Sequence, residues 1–172
     1  MKSVLISIQP KWCNLIAQKK KTVEVRKTKP ILQAPFKCYI YCTKDSVLKF
    51  WTGPFYSYTD DHSHNAFDRN GNGKVIGEFV CDVVIDGKMH AQDWVYICEN
   101  CEVPGKELYA YCGENESGDT NYCFGWNITD LVIYDRPKEL SEFTALRKTK
   151  FGYEPIPLKR PPQSWCYVET LE

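Results

Sequence analysis

A chain of 172 residues with 43% apolar and 26% charged residues is long enough to bury a core, and its composition is that of a folded globular protein rather than a disordered or fibrous one. Twenty-two basic residues balance twenty-two acidic ones, so the overall basic excess typical of nucleic-acid binders is missing. The charge is nevertheless segregated: Lys11, Lys19, Lys20, Lys21, Arg26, Lys27 and Lys29 cluster near the start, and Glu99, Glu102, Glu107, Glu114, Glu116 and Asp119 in the middle.

In chain order, Val4–Ile8 reads as a short apolar strand. A helix follows from Pro10 to about Gln18, with Pro10 suited to its first turn and Trp12, Leu15 and Ile16 on one face. Val23–Arg26 reads as a charged strand and Phe36–Cys42 as an alternating one, with Phe36, Cys38, Ile40 and Cys42 opposite Lys37, Tyr39 and Tyr41. Further strands are expected at Lys74–Ile85, Gly125–Tyr134 and Trp165–Glu169, and helical segments at His90–Tyr96, Lys106–Cys112 and Leu140–Phe143. Pro137 is expected to end its strand, and the proline-rich Tyr153–Pro162 to run extended. The fold class implied is α+β, mainly β. Six strands with short helices suggest a small closed or half-closed barrel in one domain, 1–172, carrying insertions at about 43–73 and 86–122. No stretch approaches the ~18 apolar residues of a membrane span. The nine cysteines, with no secretory leader expected ahead of the first strand, suggest reduced core residues of a cytoplasmic protein.

The segment Lys21–Arg26 carries the most chemistry. Side chains alternate along a strand, so Thr22, Glu24 and Arg26 share one face and Val23 and Val25 the other, with Glu24 and Arg26 about 6–7 Å apart. Lys19-x-Lys21-x-x-Glu24-x-Arg26, the strand and helix before it, Phe124-Gly125-Trp126-Asn127-Ile128, Tyr134 to Phe143 and Arg160 to Glu169 together resemble the ASCH domain family, relatives of the PUA domain common in phages and their bacterial hosts. Lys19 stands where the family signature has glycine, the residue that favours a positive φ at a helix exit. The resemblance implies a PUA-like β-barrel with a helix across its mouth. It also implies a module that binds RNA or a nucleotide in a cleft lined by Lys21, Glu24 and Arg26. Lys11, Trp126, Ser164 and Trp165 are added as candidate contacts, since single-stranded nucleic acid is held by basic tracks and aromatic stacking.

A small hydrolase acting on RNA or on an acylated nucleoside is the alternative, with Lys21, Glu24 and Thr22 in catalytic roles and Glu78 as a further carboxylate. A protein-interaction module of phage origin, docking through the acidic middle segment, is a third reading. No cofactor is implied. Cys98-x-x-Cys101 has the spacing of half a zinc site, with Cys112 and Cys123 as the candidates to complete it, but the second pair is not compact, so no metal is assigned. Asp68-x-Asn70-x-Asn72-Gly73 reads as a turn rather than a calcium loop, because its twelfth position is Phe79 rather than glutamate. His62-x-His64 beside Asp60 and Asp61 reads as solvated polar loop.

Overall fold

The computed structural model describes residues 1–52, 69–113 and 122–171. His62, His64, Asp60, Asp61, Asp68, Glu114, Glu116 and Asp119 lie outside them. The chain forms two compact units. One comprises Met1–Asn14, Lys37–Phe79 and Leu131–Glu172, and the other Leu15–Phe36 and Val80–Asp130.

The elements are β1 (Lys2–Ile8), α1 (Pro10–Ala17), β2 (Val23–Arg26), β3 (Phe36–Cys42), β4 (Val75–Cys81), β5 (Val84–Asp86), α2 (Ala91–Asn100), α3 (Gly105–Cys112), β6 (Phe124–Asn127), β7 (Thr129–Lys138), β8 (Thr144–Thr149), β9 (Gly152–Pro157) and β10 (Trp165–Glu169), with a 3-10 turn at Leu140–Glu142. They build a seven-stranded sheet, β7-β4-β3-β1-β10-β8-β9, and a three-stranded one, β2-β6-β5. In the larger sheet β1 is central, parallel to β3 and antiparallel to β10. Val4, Leu5 and Ile6 are all buried, as expected of a strand covered on both faces. On one of those faces Leu5, Tyr39, Tyr41, Val75, Phe143 and Val168 form a core cluster.

The described strands form no closed barrel. Two runs that read as single strands each break and serve both sheets. Lys74–Ile85 divides at Asp82-Val83 into β4 and β5, and Gly125–Tyr134 divides at Ile128 into β6 and β7. One proline expectation changes: Pro137 does not end β7. The segment around Pro155 and Pro157 is extended, as expected, and pairs with β8 as an antiparallel hairpin strand. Both β7 and β9 are edge strands, where a missing N–H leaves no ladder bond unmade. In α1 the buried residues are Pro10, Cys13 and Ile16, while Trp12 is half-buried. As expected, Asn70–Gly73 is a turn: the Asn72 N–H donates to Asn70 Oδ1 at 3.1 Å, and Gly73 has a φ of 83°.

The smaller sheet is covered on one face by a cluster of Val23, Val25, Ile97, Leu108 and buried cysteines. Gly125 permits this close packing: a Cβ there would lie 2.7 Å from Ile97 Cγ1 and 2.9 Å from Val23 Cγ1. Among the described residues no helix is long and apolar enough to cross a membrane.

At the exit of α1, the Lys19 N–H donates to the Ile16 carbonyl at 2.8 Å and the Lys20 N–H to the Leu15 carbonyl at 2.9 Å, the paired bonds of a Schellman stop. Its left-handed residue is Lys19, with a φ of 57°. The signature glycine is gone, yet the backbone keeps the conformation that glycine favours. Left-handed backbone costs an L-residue about 1–2 kcal/mol, partly offset by the extra freedom glycine has when unfolded. Lys19→Gly is therefore expected to raise unfolding stability by about 0.5–1 kcal/mol, read from urea midpoints at unchanged m-value. A loss of stability would show that the lysine side chain contributes more than the backbone costs.

Candidate functional site

Residues 21–26 lie in the second unit. The strand β2 pairs antiparallel with β6, with Glu24 opposite Trp126 and Arg26 opposite Phe124. The two-residue period thus splits β2: Val23 and Val25 enter the apolar cluster, while Glu24 and Arg26 share the other face with Trp126 and Phe124.

Lys21 precedes the strand, and its ammonium is taken out of water, the side chain being 1% exposed. Nζ donates to the Val23 carbonyl at 2.8 Å and to the Cys101 carbonyl at 2.6 Å, with Glu24 Oε2 at 3.4 Å. Cys101 is the C-cap of α2, so the cation sits where the helix dipole and its orphan carbonyls favour positive charge. The neighbouring residue is stitched to the same helix end. The Thr22 N–H donates to the Asn100 carbonyl at 3.1 Å, and Thr22 Oγ1 donates to Asn100 Oδ1 at 3.4 Å. Asn100 and Cys101 are hydrogen-bond partners of Thr22 and Lys21 that sequence reasoning missed. Their signal was faint: a helix end about 80 positions downstream with nothing but cysteine spacing to mark it.

Glu24 continues the chain of charges. Its Oε1 receives Arg26 Nη2 at 2.9 Å, while Oε2 is buried and accepts no hydrogen bond among the described residues. Arg26 is the most exposed of the three, with its side chain 10% accessible. Trp126 is fully buried, its ring edge-on to Phe36 at 5.8 Å, so it packs the floor beneath the charges and shows no face for stacking.

Immediately after the strand the side chains become accessible. Lys27 and Lys29 are exposed. Their ammonium groups lie over the rings of Tyr111, at 5.2 Å, and Phe124, at 4.9 Å. Burial pushes the Tyr111 phenol up, and the positive charge of Arg26 opposes that rise.

Lys11, Ser164 and Trp165 belong to the first unit. Lys11 Nζ sits 4.2 Å above the Trp12 ring, Ser164 accepts the Ser7 N–H through its backbone carbonyl at 2.9 Å, and Trp165 meets Tyr167 edge-on at 5.4 Å. Glu78, in that same unit, accepts from Lys37 Nζ at 2.8 Å and from the Tyr134 hydroxyl at 2.6 Å. Burial acts to raise the Glu78 carboxyl, but these two donors outweigh it and hold the group below its ordinary range. Among the described residues no three His, Cys, Asp or Glu side chains are grouped to hold a metal ion.

No protein-family model matches the chain, and no curated protein matches its sequence. It is similar to the crystal structure of ASCH from Zymomonas mobilis, at 18% identity and a TM-score of 0.54, over 97% of this chain and 87% of that one. A tyrosine-to-phenylalanine variant of that protein gives the same identity and TM-score, over 98% of this chain and 91% of that one. A serine-to-alanine variant does so too, over 97% and 88%. The chain has the fold of an ASCH domain, as the Lys19-to-Arg26 motif led one to expect.

A buried ion cluster is costly to break and cheap to replace whole. Glu24→Ala, which leaves two cations without their shared carboxylate, is expected to lower unfolding stability by about 3–5 kcal/mol. The triple replacement Lys21→Met, Glu24→Leu, Arg26→Met is expected to cost far less than the sum of the single changes, in urea denaturation of all four variants. Additive losses would show that the three charges do not act as one unit.

Proposed function

We propose that this chain is an ASCH-type module that binds single-stranded RNA or a nucleotide along the β2 side of its second unit. The observation that carries this reading is the run Arg26, Lys27 and Lys29, with the two lysines set against the rings of Tyr111 and Phe124. Cations interleaved with aromatic faces are what a phosphate backbone with unstacked bases requires. Lys27 and Lys29 supply exposed point charges. Arg26, a planar fork held in orientation by Glu24, suits a phosphate or a base edge. Lys21 and Glu24 then act from beneath, as positioning residues. The neutral overall charge agrees with a local basic rim rather than a broad basic surface.

The hydrolase reading gains no comparable support. The Lys21 ammonium donates to the Val23 and Cys101 carbonyls and is ion-paired with Glu24, and the Thr22 hydroxyl is turned to Asn100.

Fluorescence anisotropy of a labelled single-stranded oligoribonucleotide tests the proposal. Binding is expected to weaken steeply with salt, and Lys27→Ala with Lys29→Ala is expected to reduce the slope of log K against log salt by about 1.4, roughly 0.7 for each lost phosphate contact. Both lysines are exposed, so the variant keeps its fold. Absence of salt-dependent RNA binding by the folded wild-type chain overturns the proposal.

A further inference from the structure

Four cysteines gather in the second unit: Cys101, Cys112 and Cys123 within the cluster that covers Val23 and Val25, and Cys98 packed against it. They differ in what they touch. The Cys101 thiol donates to the Cys98 carbonyl at 3.8 Å. Cys112 Sγ and Cys123 Sγ, both buried, lie 2.7 Å apart. That separation is only about 0.7 Å longer than a disulfide bond, and closer than two unbonded sulfurs pack in a core. The spacing of the four invites a zinc reading, but the absence of any three-ligand grouping among the described residues sets the contacting pair apart from the other two.

We infer that Cys112 and Cys123 are an oxidisable pair that hydrogen peroxide converts to an intramolecular disulfide. One thiolate attacks the peroxide O–O bond, forming a sulfenic acid and releasing hydroxide, which takes up the thiol proton as water. The second sulfur attacks the sulfenic sulfur, the S–S bond forms, the S–O bond breaks, and a second water leaves with the remaining thiol proton. Two thiols are oxidised and one peroxide is reduced to two waters. Burial raises both thiols above their ordinary range, so the step is slow and needs a small oxidant or a brief local opening. A dithiol reductant returns the pair to its starting state.

The bond has a structural consequence. Cys112 is the last residue of α3, and Cys123 directly precedes β6. A disulfide ties the helix to the strand between Tyr111 and Phe124, whose rings carry Lys27 and Lys29. The inference itself does not depend on RNA binding, because its readout is chemical.

The test treats the full, reduced chain with hydrogen peroxide, then maps peptides without reduction and counts free thiols. The expected result is a mass loss of two hydrogen atoms, a thiol count reduced by two from nine, and a crosslinked peptide joining Cys112 to Cys123. Cys112→Ser abolishes the crosslink and Cys98→Ser preserves it. The mapping on the unsubstituted chain stands even where a serine variant fails to fold. A crosslink between other cysteines, sulfinic acid with no crosslink, or thiols protected by stoichiometric co-purified zinc overturns the inference.

Discussion

The second unit is organised around one ammonium group held out of water. Lys21 has no solvent to satisfy it, so the fold must bring partners to its nitrogen: two acceptors, the carbonyls of Val23 and of Cys101 at the end of α2, and a counter-charge, the carboxylate of Glu24. A buried cation without partners is costly. That cost fixes the end of α2 against the start of β2 more tightly than apolar packing, which has no direction, is able to do. The Thr22 bonds to Asn100 follow from the same placement.

From that anchor the charges run outward. Glu24 is held between Lys21 and Arg26, and Arg26 leads to the exposed Lys27 and Lys29. A four-residue strand manages this because its period is two. Val23 and Val25 contribute to the core with one face, leaving the other for charge. Trp126 beneath the charges and the aromatic neighbours of the lysines divide their work by exposure. The buried ring excludes water and strengthens the ion pairs, whereas the Tyr111 ring is exposed beside Lys27.

Sequence reading worked where a short-range rule governs the backbone. The apolar start, the alternation in Phe36–Cys42 and the strand at Val23–Arg26 all stand as read. It failed where a residue's meaning depends on which strand lies beside it. Pro137 read as a strand end, yet it lies within β7, which is an edge strand. The breaks at Asp82-Val83 and Ile128 were invisible because both halves of each run are equally strand-like. Only the division between two sheets separates them. Trp126 read as a candidate contact, but an indole's composition does not say which side of a sheet it faces or what covers it.

Residues 21–26 determined, by spacing alone, that a carboxylate and a guanidinium share one strand face beside a lysine. This is a consequence of backbone periodicity, which acts within a few residues. That Lys21 is buried, that its acceptor is the end of a helix 80 residues later, and that two cysteines eleven positions apart come into contact were decided by tertiary structure. Burial and long-range pairing depend on what the rest of the chain packs nearby, and no window of sequence contains that information.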